Sequence, residues 1–221
     1  ATKVTIDAAH PGPVIDRQIF GQFAEHLGHG IYEGIWVGKD SPIPNTRGIR
    51  NDVVAALKEL HVPNVRGPGG CCADEYHWRR GIGPADQRKP AMNANLGGVI
   101  EPNTFVTGEF FDFVEQIGTE AYVSVNVGSG TPGEAAEWLE YMTASTEDAL
   151  GAERAANGHP EPYKVAFVGL GNESWDCGGG MSPDFYVSQM KMHARFVRNY
   201  NPAQPMKRIA VGPNAGDLAC G

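Results

Sequence analysis

The run Lys164-Val-Ala-Phe-Val-Gly-Leu170 is apolar enough to be a buried strand, and it ends in Gly171-Asn172-Glu173. A glutamate there is a candidate proton donor. The apolar strand favours removing its carboxyl from water, which holds a carboxylic acid protonated towards neutral pH. Asn172 beside it can bond a hydroxyl. Cleavage of a glycosidic bond needs such an acid together with a second, ionised carboxylate that attacks the anomeric carbon. Different environments must push the two pKa values apart. The same position also suits an ordinary surface glutamate at a strand-loop junction, so Glu173 needs a context.

That context comes from the elements that would carry it. Val4 to Asp7 alternates like a short strand, and Gln18 to Glu25 reads as a second one ending in polar residues. Asn51 to Leu60 has helical apolar spacing with Asn51 or Asp52 as N-cap, and Val62 to Arg66 is a strand running into Gly67-Pro-Gly-Gly70. A long loop, Cys71 to Thr104, precedes a helix over Thr107 to Gln116. Ala121 to Val127 is a strand. Thr131-Pro-Gly-Glu134 has the form of a capping box with Pro at the first helical position, and its helix runs on to Met142. After the Glu173 strand, Ser182-Pro-Asp-Phe opens a helix through Tyr200, and Lys207 to Gly212 is one more strand.

This alternation predicts an α/β fold with a parallel sheet, either an open doubly wound sheet or part of a (β/α)8 barrel. No Rossmann fingerprint is present. The expected strand ends carry Glu25, Arg66 to Gly70, Asn126 and Asn172-Glu173. Function collects at the C-terminal strand ends of a barrel, so this convergence favours a partial (β/α)8 barrel of about five strands. A whole barrel takes about 250 residues, roughly three strand-helix units more than residues 16–221 supply.

Composition narrows the function classes. Hydrophobic residues make up 41% of the 221, enough for a core, and a net charge of -8 without a Lys/Arg cluster makes the chain a poor candidate for a nucleic-acid binder. No stretch reaches the roughly 18 apolar residues of a membrane helix. The N-terminus lacks the basic and apolar regions of a signal peptide, and a cytoplasmic protein is expected. The four cysteines, Cys71, Cys72, Cys177 and Cys220, are too few for a disulfide scaffold, and reduced thiols are the expectation. Cys71-Cys72 lacks the two-residue gap of a zinc knuckle, so no metal site is expected.

The segment Gly171-Asn172-Glu173-Ser-Trp175-Asp-Cys177-Gly-Gly-Gly-Met181 resembles the acid/base segment of family 51 glycoside hydrolases, the α-L-arabinofuranosidases. The similarity runs along the chain, through Phe20-Gly-Gln-Phe-Ala-Glu25-His26-Leu27-Gly28, Ile31 to Gly38, Pro68-Gly69-Gly70-Cys71, Tyr76-His77-Trp78, Gly81 to Pro84 and Asn126-Val-Gly-Ser-Gly130. The resemblance implies that Glu173 is general acid and then general base. It implies that Asn172 holds the sugar 2-hydroxyl, that Glu25 accepts bonds from furanose hydroxyls, and that Asn126 supports the site. Cys71 would lie near the sugar, though a small buried hydrophobe fits that position as well, and Cys177 would be structural. Trp36, Trp78 and Trp175 could stack on sugar or pack in the interior.

The substrates so implied are arabinose-bearing oligosaccharides of arabinoxylan or arabinan, with no cofactor, since two carboxylates and water suffice. Residues 1–15 would contribute the opening strand of a β-sandwich. A homo-oligomer, hexameric in many members, or a second chain completing the barrel would be the partner. The nucleophile is expected beyond Gly221, with Asp74, Glu75 and Glu33 as substitutes away from strand ends.

Several positions depart from the family pattern. Gly67 and Cys72 stand for aromatics, Leu96 for a Trp, Val106 and Gly108 for a Gly and a His, and Leu218 to Gly221 for an acidic and aromatic continuation. A non-catalytic carbohydrate-binding scaffold and a related endoglucanase are the competing readings.

Overall fold

A computed structural model describes residues 2–212. Five strands form one parallel sheet: β1 (Gln22–Phe23), β2 (Asn64–Gly67), β3 (Glu120–Val125), β4 (Val165–Leu170) and β5 (Lys207–Ala210). Their order in space is their order in sequence. Every neighbouring pair is parallel. A doubly wound sheet reverses its strand order at a switch point. The uninterrupted order decides for the wall of a barrel, as the strand-end argument anticipated.

The core lies between this sheet and its crossover helices. β4 is buried along its whole length, as a parallel strand covered on both faces must be. Phe113, Val114 and Ile117 of α2 (Thr107–Ile117) and Trp138, Leu139 and Met142 of α3 (Pro132–Thr143) pack into the same cluster as Val123, Val165 and Leu170. The flanking strands are thinner. Phe23 is half exposed, and β5 has no fully buried residue.

Local chemistry sets the boundaries, and some differ from expectation. Val4 to Asp7 forms no strand. With no ladder partner among the described residues, Val4 and Ile6 stay exposed. The second expected strand shrinks to Gln22–Phe23, because Asp16 caps a 3-10 turn over Arg17–Phe20. The helix α1 (Asn51–Glu59) is preceded by Arg50 as N-cap without a side-chain bond, since the Asn51 Oδ1 accepts from Thr46 instead.

The long loop is not bare. It holds a hairpin of Ala91–Asn93 and Val99–Glu101. At α3, Thr131 Oγ1 accepts from Glu134 N, but the Glu134 carboxylate turns to His77 Nδ1 at 2.9 Å, so only half of the capping box forms. An unanticipated helix, α4 (Ala149–Ala156), is capped by Asp148 and tied down by the buried Arg154, which donates to the carbonyls of Tyr141 and Ala144. Finally, α5 (Pro183–Phe196) stops four residues short of Tyr200, where Val197 turns extended into the core and Arg208 takes its carbonyl.

Candidate active site

The strand ends of β2, β3 and β4 converge through two charged side chains. Asp74 follows β2 on a 3-10 turn over Cys71–Glu75 and is 2% exposed. Its Oδ1 accepts from Val127 N at 2.9 Å and Gly128 N at 3.0 Å, and its Oδ2 accepts from Asn172 N at 2.8 Å. One carboxylate thus joins the loops after β3 and β4 to the loop after β2. Burial pushes Asp74 up to about 6, and this outweighs the opposing pull of its three N–H bonds.

Arg66, on β2, spans the same gap from the other side. Its Nη2 donates to Asn172 Oδ1 at 2.5 Å and its Nε to Ser124 Oγ at 3.1 Å. Its guanidinium lies 4.7 Å from the centre of the Phe23 ring, where a cation gains from the ring face. An arginine can only donate, so it fixes the Asn172 amide with the oxygen towards Arg66 and turns the NH2 to Cys177 Sγ, 3.7 Å away, with one N–H left for an incoming hydroxyl.

Glu173 follows at once. Its backbone has φ 34°, a left-handed conformation that costs a residue with a Cβ about 1 kcal/mol or more and is over-represented at functional sites. The side chain is exposed, which corrects the expectation that the apolar strand would desolvate it. The strand is buried to its last residue, but the left-handed turn swings Glu173 out into a cleft of about 290 Å³. Arg66, Tyr122, Asn172, Trp175 and Ile209 share its lining.

Glu25 reaches the same loops from β1. Its Oε1 accepts from Gly70 N at 2.7 Å. A Cβ at Gly70 would stand 3.1 Å from that oxygen, tighter than ordinary contact, and 3.5 Å from Asn172 Nδ2, so the loop backbone passes close between the two side chains. Asn126 takes a different part. Its Oδ1 accepts from Ser129 N and Gly130 N and its Nδ2 donates to Tyr76 O, so its amide is spent on its own turn and does not line the cleft.

The cysteines correct the sequence reading. Cys71 and Cys177 form a disulfide, so they are not reduced thiols. The bridge ties the β2 loop to the loop of Glu173, a pairing invisible in sequence because the partners are 106 residues apart. The Cys72 thiol remains unpaired, and burial pushes it up to about 12. It donates to His26 O and accepts from Asn93 Nδ2.

Of the three candidate tryptophans, Trp36, Trp78 and Trp175, only Trp175 lines the cleft. Trp78 is buried against Tyr141, and Trp36 packs on Phe105. Of the substitute nucleophiles, Asp74 is walled in. Glu75 borders a separate small cavity with His26 and His77, and Glu33 pairs with His29 at the surface. Among the described residues Glu173 is the one carboxylate lining its cleft.

Comparison with known proteins decides the family. The α-L-arabinofuranosidase 1 domain matches residues 56–213. The chain belongs to the family 51 α-L-arabinofuranosidases. It is 49% identical over 98% of its length to an intracellular exo-α-L-arabinofuranosidase of Bacteroides ovatus, covering 42% of that protein. It is 39% identical over 94% of its length to a probable α-L-arabinofuranosidase C of Aspergillus terreus, covering 39% of it.

In structure it resembles the GH51 arabinofuranosidase of Xanthomonas axonopodis pv. citri, with TM-score 0.89 and 52% identity over 92% of this chain and 41% of the other. It also resembles the α-L-arabinofuranosidase of Thermotoga maritima in its arabinose complex, with TM-score 0.82 and 42% identity over 89% and 40%. The chain therefore spans about two fifths of the length of the relatives it matches.

Within this arabinofuranosidase frame the departures at the mouth acquire a physical reason. A Cβ on Gly67 would lie 2.7 Å from the Phe110 ring. The Phe110 ring, from α2, fills the space beside Gly67. Likewise a Cβ on Gly81 would lie 2.8 Å from Val106 Cβ, so Val106 packs where only a glycine faces it. Leu218 to Gly221 lies outside the described residues. No helix among the described residues is long and apolar enough to cross a membrane.

Proposed function

We propose that the protein carrying this chain is a retaining, exo-acting α-L-arabinofuranosidase. It releases terminal arabinofuranose from arabinoxylan or arabinan oligosaccharides, with Glu173 as acid and then base. The observation that carries this reading is the pairing of a fixed Asn172 with an exposed Glu173 in one cleft at the strand ends, inside a family of arabinofuranosidases. The Asn172 NH2 spends one N–H on Cys177 Sγ and has a second to donate to the sugar 2-hydroxyl, a contact that strengthens as positive charge develops at the anomeric carbon. Glu25 accepts from a further hydroxyl, and Trp175 and Cys71 border the sugar.

The attack needs a second carboxylate, which this reading places in a strand beyond Gly221. That carboxylate bonds the anomeric carbon as the leaving oxygen takes the Glu173 proton. Glu173 then draws a proton from water, and the water cleaves the glycosyl-enzyme bond. Residues 1–15 belong to a separate β-sandwich in this proposal, and assembly into a homo-oligomer covers the exposed flanks.

The test is leaving-group dependence in the full-length protein. Glu173→Ala is expected to lower kcat by roughly 10²–10⁴ on arabino-oligosaccharides, the usual contribution of general acid catalysis. Formation of the glycosyl-enzyme from a dinitrophenyl arabinofuranoside, whose leaving group needs no proton, should be nearly unimpaired. An equal loss on both substrates would remove Glu173 from the acid role. Saturable sugar binding without turnover by the unaltered protein would point to a non-catalytic binder.

A further inference from the structure

The Cys71–Cys177 disulfide lies beside the Glu173 carboxylate and takes no chemical step in the hydrolysis proposed above. One sulfur each from Cys71 and Cys177 and one Glu173 carboxylate oxygen lie within 4.8 Å of one another, on residues that are exposed or half-buried and open to ions. Cys177 Sγ is 3.7 Å from Glu173 Oε2.

We propose that reduction of this disulfide creates a site for a thiophilic divalent cation, zinc above all, which captures Glu173. The effect on catalysis rests on the acid/base reading above, whereas the metal site does not. A dithiol supplies two electrons and two protons. The Cys71–Cys177 bond breaks, two thiols form, and the dithiol leaves as its own disulfide. The incoming cation then displaces both thiol protons and binds two thiolates and the carboxylate, with water as fourth ligand.

The geometry fits with little movement. Zinc-sulfur bonds of about 2.3 Å and a zinc-oxygen bond of about 2.0 Å place tetrahedral S and O ligands about 3.5 Å apart and two S ligands about 3.8 Å apart. The first separation is close to the 3.7 Å already present. The second is roughly the contact distance that two unbonded sulfurs adopt once the bridge opens. Two thiolates with one carboxylate select zinc or cobalt over magnesium or calcium, which prefer oxygen. Cys72 cannot stand in for its neighbour, because its sulfur faces His26 O and Asn93.

The experiment uses the full-length protein, oxidised or reduced with dithiothreitol and desalted without oxygen. Cobalt(II) is titrated into each and followed by thiolate-to-cobalt charge-transfer absorbance. The reduced protein should show two more thiols than the oxidised one and bind one cobalt that zinc displaces. The oxidised protein and the reduced Cys177→Ser variant should show no such band, and Glu173→Gln should weaken binding roughly tenfold or more. Failure to gain two thiols, no band on reduction, or a band unchanged by Cys177→Ser would each overturn the site. Zinc should inhibit only the reduced enzyme. A cobalt band with undiminished activity under zinc would leave the metal site standing and refute the acid/base role of Glu173 instead.

Discussion

Asp74 and Glu173 stand at the same cluster of strand ends, yet their surroundings are opposite. Asp74 is 2% exposed and receives three backbone N–H bonds. Glu173 is exposed, holds a left-handed backbone, and among the described residues its carboxylate meets only the Cys177 sulfur. A carboxylate saturated by backbone amides cannot approach a substrate, but it can hold one strand end against another. A carboxylate left free in a cleft adds little to stability and is available for proton transfer. Exposure and saturation, more than residue type, separate the carboxylate that clamps the loops from the one proposed to transfer a proton.

The sharpest test of this contrast is stability. Asp74→Ala strands three buried N–H donors, each costing about 1–3 kcal/mol when unpaired. A loss of about 3 kcal/mol or more in urea unfolding of the full-length protein is therefore expected. Glu173→Ala, which removes no hydrogen bond of this kind, should stay within about 0.5 kcal/mol of the parent, as surface substitutions do. Equal losses in the two variants would erase the distinction.

Most of the frame was legible in the sequence. Period and caps marked the β2, β3 and β4 strands and α1, α2, α3 and α5, and the polar residues at their ends pointed to one mouth. What escaped were pairings between distant residues. The Cys71–Cys177 bridge and the Asp74 to Asn172 bond cross 106 and 98 positions and leave no local pattern. Arg66 was legible as a polar strand end, but its bonds to Ser124 and Asn172 cross 58 and 106 positions and leave no local pattern either. The α4 helix was hidden because its eight residues, four of them alanine, are too few to sustain a helical period in the sequence. Val4 to Asp7 alternated like a strand, but alternation supplies no partner.

The next effect in size concerns how the mouth is filled. Gly67→Ala drives a methyl group to 2.7 Å from Phe110, and overpacking of this kind costs about 1–3 kcal/mol. Combining it with Phe110→Leu should recover part of that loss, a coupling that a double-mutant cycle in urea would measure. Additive losses would mean that Phe110 does not fill the space beside Gly67.

The smallest expected effect is a pH dependence that belongs to Asp74 alone. Its folded-state pKa lies near 6, above the value of about 3.9 in an unfolded chain. The folded state therefore holds this proton more tightly. The cost of burying the charge is fully present above pH 6, and it is relieved as pH falls from 6 towards 4. Over one pH unit inside that window a single proton changes stability by about 1 kcal/mol. Asp74→Asn cannot titrate. The unfolding free energy of the parent should thus rise against that of the variant as pH drops from 6 to 5, with other carboxylates cancelling in the difference. A flat difference across this window would mean that the three N–H bonds, with Arg66 nearby, hold Asp74 ionised despite its burial, making it a cheaper clamp than its surroundings suggest.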